Sequence, residues 1–187
     1  MERPSIQQID NFFPQDVAEY ISKFVIYEAE YRYGERDDNG PPTGLVCDIY
    51  HVDTSEHTCS SDEGKVIYNF FIKHIHEKYP GFWDNYKIYR LYINVFAPKE
   101  QAYFHTDSSE GSDQFTFIYY PSSDVFQYDI EQGGWTEFYL DKKIIGVPPY
   151  SNSVVRFSSE VRHRATPYRD HHRFTIALKC VNKDELL

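Results

Sequence analysis

The chain has 187 residues and a mass of 22.2 kDa, enough for one well-buried core and short for two full domains. Its formal net charge of −10 and pI near 5.2 exclude a broad phosphate-binding face, because nucleic acid selects a basic surface. Aromatic residues make up 18% of the chain, 17 of them Tyr and 14 Phe, a composition that suits β-rich packing. Cys47, Cys59 and Cys180 are odd in number and show no C-x-x-C spacing, so they read as reduced thiols. The opening "MERPSIQQID" has no apolar signal core, and no later run is long enough to cross a bilayer. A cytoplasmic protein without a cleavable signal is expected.

In chain order, "IDNFFPQDVAEYISKFVIYEAEY" begins with a short apolar stretch and turns helical at Pro14, with Val17, Tyr20, Ile21 and Phe24 or Val25 at helical spacing. The Gly, Pro and Asp content of "YGERDDNGPPTG" (33–44) predicts a loop. A second helix is predicted over "SSDEGKVIYNFFIKHIHEKYP". Ser60, Ser61 or Asp62 caps it, acidic residues fill its first turn, and Pro80 follows its end. Beyond Asp84 the texture changes to short strands ended by turn residues: "YKIYRLYINVFAP", "QAYFHTD", "QFTFIYYP", "GGWTEFYLD", "KIIGVPP", "NSVVRFSS" and "HRFTIALKCV". Strands at this spacing after two helices predict a sheet sandwich or barrel, with the helices against one face.

Within "AYFHTDSSEG", His105 and Asp107 are one residue apart, and in an extended segment both side chains point the same way. A metal site, a base with its orienting partner, and a merely polar loop all fit that pair. The same pattern recurs at His51 and Asp53, in a polar stretch that no strand series follows. Among the late histidines, His171 and His172 sit in a turn-like "RDHHR", whereas His163 follows a predicted strand and starts a connection to the last one. Two histidines and a carboxylate on one face of a metal leave three positions open, the donor set of non-haem Fe(II) oxygenases. Arg173, ten residues past His163, can return to the same cavity through a short hairpin, and its planar guanidinium takes a carboxylate with two hydrogen bonds.

The segments "FHTD", "FTFIYYP", "EQGGWTEFYLD", "PPYSNSVVRFSSEVRHRATP" and "HHRFTIAL" resemble the Fe(II)/2-oxoglutarate-dependent dioxygenases, and within them the prolyl 4-hydroxylase-like branch in a compact bacterial- or phage-like form. The opening "IDNFFPQDVAEYISKF" is similar to that branch's entry strand and first helix. The resemblance covers nearly the whole chain and is weakest between residues 30 and 60. It implies a mainly β chain with N-terminal helices, folded as a double-stranded β-helix, or jelly roll. One domain would span 1–187, with a supporting part at 1–84 and the catalytic core at 85–182. It implies His105, Asp107 and His163 as iron ligands, Arg173 and Tyr120 on the far carboxylate of 2-oxoglutarate, and Thr175 as a weaker second contact. The cofactors that follow are Fe(II), 2-oxoglutarate and O2, with ascorbate as an optional reductant. The implied reaction is hydroxylation with release of succinate and CO2. The implied partner is a proline-containing peptide or protein, and neither a nucleic acid nor a membrane is expected.

Two positions depart from that branch. Phe96 stands where a pocket tyrosine is usual, so Tyr92 or Asn94 is expected to make up the contact. Asp113 stands where prolyl hydroxylases tend to carry an arginine near the peptide. The alternatives are a nucleic-acid demethylase of the same superfamily and a non-catalytic jelly-roll binding module. The demethylases usually carry a second arginine six residues past the first, and here that residue is Lys179.

Overall fold

The computed structural model describes residues 6–35, 43–52, 62–121 and 130–186. Strand β1 (Gln7–Ile9) leads to helix α1 (Gln15–Lys23), which continues as a π-helical turn over Phe24–Glu28. Pro14 stands just before the first turn of α1, and Ala18, Ile21, Ser22 and Val25 form the buried stripe of the helix and its π-helical turn. Tyr20, expected on that stripe, is instead 38% exposed. Strands β2 (Arg32–Glu35) and β3 (Thr43–His51) precede α2 (Asp62–Lys78). Ile67, Phe71, His74 and Ile75 give α2 its buried stripe. Asp62 and Glu63 in its first turn and His76 and Lys78 in its last complement the helix dipole. Ser60 and Ser61, the other capping candidates, lie outside the described residues.

After the short α3 (Phe82–Asn85) come β4 (Tyr86–Phe96), β5 (Gln114–Tyr120), β6 (Thr136–Leu140), β7 (Lys143–Val147), β8 (Ser153–Ser158), β9 (His163–Ala165) and β10 (Arg173–Asn182). They form an antiparallel seven-stranded sheet in the order β1-β8-β5-β10-β4-β3-β2 and a three-stranded sheet in the order β7-β6-β9. This is a jelly roll with helices on one face, as expected.

The large sheet has two unlike faces. On one, Leu91, Ile93, Phe117, Tyr119, Ile176 and Leu178 join Phe12, Phe13, Ile21, Ile67, Phe71 and Ile75 in the main core. Aromatic edges fill it: the Phe13 ring meets those of Phe71 and Tyr119 edge-on, each at 5.1 Å. On the other face Ile118, Val155 and Phe157 pack against Phe138 of the small sheet, and a polar cavity opens beside them.

The N-terminal segment is tied to the far end of the sequence. β1 pairs with β8, Phe12 N–H donates to the Asn152 carbonyl at 2.8 Å, and Phe13 N–H donates to Asn152 Oδ1 at 3.0 Å. Asn152 Nδ2 returns a bond to the Phe13 carbonyl at 2.8 Å. Asn152 has φ of 55°, a left-handed conformation that asparagine tolerates better than most residues.

Two sequence expectations are corrected. Residues 32–35, partly inside the predicted loop, form the edge strand β2, and β3 beside it was not expected. Residues 101–107, predicted as a strand, pair only at His105. Their N–H groups go to single carbonyls, Ala102 to Ala165, His105 to His163 and Asp107 to Ser159, across the mouth of the cavity.

Candidate metal and carboxylate site

His105 and His163 face each other as a bridged pair, exchanging N–H to carbonyl bonds of 3.0 and 2.9 Å. That exchange puts both imidazoles on one side, with ring centres 4.5 Å apart. Asp107 reaches between them: Oδ1 is 3.7 Å from His105 Nε2 and Oδ2 is 3.6 Å from His163 Nε2. One ligand atom from each residue lies within 4.8 Å of the others, and among the described residues this is the one such group of three.

The tautomers follow from the carbonyls behind the rings. His105 Nδ1 is 3.0 Å from the Tyr103 carbonyl and His163 Nδ1 is 2.9 Å from that of Val161. A carbonyl only accepts, so each Nδ1 carries a proton and each Nε2 is the ring nitrogen left facing Asp107. Burial against Phe157 and Phe138 pushes His163 down to about 4, against a partial lift from Asp107, so its ring is neutral at neutral pH.

Asp107 is held by donors the sequence did not disclose. The Thr116 hydroxyl donates to Oδ2 at 2.6 Å and lies 2.9 Å from the Ser159 hydroxyl. Lys179 places its ammonium 2.8 Å from Oδ1. Burial alone would raise the Asp107 carboxyl, but the Lys179 ammonium beside it outweighs this and holds it well below the usual carboxylate range. The Lys179 ammonium is in turn kept charged by Asp107 despite its burial.

The cavity has a volume of about 230 Å³, and Arg173 lines it together with the three residues of the metal group. Arg173 is 2% exposed; its Nε donates to the Gly134 carbonyl at 2.9 Å and Nη2 to Thr136 Oγ1 at 2.8 Å. The Gly133-Gly134 turn makes this possible: both have positive φ, and a side chain at Gly134 would strike the Tyr168 ring. Tyr120 stands behind rather than at the cavity wall. Its hydroxyl is 2.6 Å from Thr136 Oγ1 and also bonds Arg173, whose guanidinium carbon lies 5.7 Å from the Tyr120 ring centre. Thr175 lines the cavity beside Arg173, and Asn94, its partner across β4, brings in a buried Oδ1 without a hydrogen bond.

The other candidates lie elsewhere. Phe96 and Tyr92 line the cavity. Asp113 does not: it accepts from Tyr86 and Asn182, each at 2.7 Å, and so ties down the C-terminal segment. His171 and His172 precede β10, outside the cavity lining, and Asp53, the partner of His51, is outside the described residues. Thr116 was legible in principle, since it shares Tyr120's face of β5 by the two-residue repeat. Thr136 had only its place two residues past Gly134 to mark it. Cys47 and Cys180 are free thiols, and Cys59 lies outside the described residues. Among the described residues no helix is long and apolar enough to cross a membrane.

The donor set fits iron: two imidazoles and one carboxylate converge, each backed by a second partner, and a cation sits at the other end of the same cavity. No protein-family model and no curated protein sequence matches the chain. Solved structures do match its fold. An oxidoreductase of the 2OG-Fe(II) oxygenase family from Burkholderia pseudomallei superposes with a TM-score of 0.74 over 95% of this chain and 84% of that one, at 15% identity. A prolyl hydroxylase from Trichoplax adhaerens, in complex with a hypoxia inducible factor oxygen degradation domain peptide fragment, gives 0.68 over 97% and 84%, at 15% identity. HygX from Streptomyces hygroscopicus, with nickel and 2-oxoglutarate bound, gives 0.66 over 96% and 84%, at 10% identity. The chain has the jelly-roll fold of the 2OG-Fe(II) oxygenases.

Proposed function

We propose that His105, Asp107 and His163 hold Fe(II), and that the chain is a 2-oxoglutarate-dependent oxygenase. The observation that carries this reading is the pairing, in one cavity, of an open two-histidine, one-carboxylate set with the buried guanidinium of Arg173. When bound, iron and 2-oxoglutarate would supply oxidative decarboxylation coupled to hydroxylation of a C–H bond, with succinate and CO2 as products. Arg173 takes the far carboxylate, its fork aimed by Gly134 and Thr136, and Tyr120 fixes Thr136 from behind. Thr175 and Asn94 complete the wall around that carboxylate, Asn94 in place of the tyrosine that Phe96 lacks. The substrate is a prolyl residue of a peptide. The fold shared with a peptide-bound prolyl hydroxylase supports it.

For the demethylase alternative, a cation does stand six residues past Arg173, where Lys179 pairs with the Asp107 carboxylate. The charge of −10 weighs against nucleic acid. The test is succinate formation from 2-oxoglutarate by protein loaded with Fe(II), with a proline-rich peptide or a methylated oligonucleotide added. Peptide-stimulated turnover, with one oxygen atom added to the peptide by mass, is expected. No binding of 2-oxoglutarate by the anaerobic iron-loaded protein would overturn the oxygenase reading, and stimulation by the oligonucleotide alone would replace the prolyl substrate.

A further inference from the structure

Lys179 lies on β10 six residues beyond Arg173, and the two-residue repeat of the strand returns it to the same face. Arg173, Thr175, Ala177 and Lys179 thus line one side of the cavity in order. The ammonium is 2.8 Å from Asp107 Oδ1 and 5.5 Å from the centre of the Tyr92 ring, while Thr116 holds the other carboxylate oxygen. Among the residues lining the cavity Asp107 is the one acid, set against two cations, Arg173 and Lys179. Asp107 is therefore matched in charge before any metal arrives.

We propose that Lys179 sets the charge balance of the site: it weakens the hold of His105, Asp107 and His163 on a divalent cation alone and strengthens binding of dianionic 2-oxoglutarate beside it. This rests on the iron reading above. A divalent ion entering the set must share the Asp107 carboxylate with an ammonium already bonded to it, and like charges this close around a buried carboxylate are weakly screened. The same positive charge attracts the carboxylates of the cosubstrate. Metal and cosubstrate together are then the tightly held pair, and metal by itself is the loosely held species. Lys179 also spares the metal-free protein a buried carboxylate without a cation, so the fold does not depend on metal.

The test is calorimetric titration of wild-type protein, Lys179→Met and Lys179→Arg with Co(II), then with 2-oxoglutarate in the presence of Co(II). Lys179→Met should bind Co(II) alone roughly tenfold more tightly and 2-oxoglutarate roughly tenfold more weakly, while Lys179→Arg, which keeps the charge, stays near wild type on both. Metal-free Lys179→Met should melt lower than wild type and gain more Tm from Co(II). Opposite signs for metal and cosubstrate set the proposal apart from general damage, which weakens both. Co(II) affinity in Lys179→Met equal to or below wild type overturns it, and if that variant does not fold, Lys179→Gln carries the same comparison. Failure of the iron reading shows separately in the unsubstituted protein: no Co(II) binding, or binding that His105→Ala leaves intact, removes both.

Discussion

The two faces of the seven-stranded sheet are built from the same strands and do different things. On β10, Ile176 and Leu178 turn toward the helices and are fully buried among apolar neighbours, while Thr175, Ala177 and Lys179 between and beside them turn toward the cavity. On β4, Leu91 and Ile93 alternate with Tyr92 and Asn94 in the same way. One face is apolar throughout; the other joins the apolar patch of Ile118, Val155 and Phe157 to charges and hydroxyls that must be partnered to be buried at all. On β10 and β4 stability and chemistry are separated by a single residue step along the strand.

Substitutions can test that separation, and the largest effect belongs to the helix face. Phe71→Ala should lower unfolding free energy by about 3–5 kcal/mol, read by denaturant melts, with metal affinity of the folded protein unchanged. A parallel loss of metal affinity would mean that the two faces are not independent. The converse variant is His105→Ala, on the less buried of the two histidines. It should weaken Co(II) binding by more than the roughly 10–100-fold cost of losing a group that only supports a ligand, with little change in Tm. Wild-type metal affinity in this variant would end the assignment of the metal group.

At the other end of the cavity, Arg173→Ala should weaken 2-oxoglutarate binding by at least about tenfold, as expected for losing a charge-assisted pair. Arg173→Lys should recover part of this, without the forked geometry. The readout is anaerobic titration of the iron-to-cosubstrate charge-transfer band. Tyr120→Phe should have the smallest effect, about 0.5–1.5 kcal/mol on the same titration, because its hydroxyl stands off the cavity lining and only supports Arg173 and Thr136. If Tyr120→Phe costs as much as Arg173→Ala, Tyr120 touches the cosubstrate directly.

The cavity face also shows why some residues could be read from the chain and others not. His105, Asp107 and His163 stood out because histidine and aspartate near strand ends are few, and their order along the chain limits how they can meet. Arg173 followed from its distance to His163. Threonine, by contrast, is common in strands, and nothing local distinguishes Thr116 or Thr136, which hold Asp107 and Arg173, from a threonine that only packs. Lys179 was noticed as a position but not as a partner of Asp107, since an ion pair 72 residues apart in number leaves no local pattern. The strand predicted over residues 101–107 failed for a related reason. Its alternation is real and aims His105 and Asp107, but its backbone finds a ladder partner only at His163. β2 and β3 were hidden by Gly, Pro and Asp in the segment between them.

The bond between Phe13 and Asn152 joins residues 139 apart in sequence, and β1 closes the large sheet only against β8. During synthesis the first helix therefore emerges long before the strand that anchors its entry exists. Until residues near 156 leave the ribosome, Phe12 and Phe13 lack the β8 edge and the Asn152 bonds that fix them, and β10, which joins β5 to β4, comes later still. A chain with such distant pairings closes slowly and exposes apolar surface meanwhile, so a nascent chain stalled before β8 should be the species that chaperones retain.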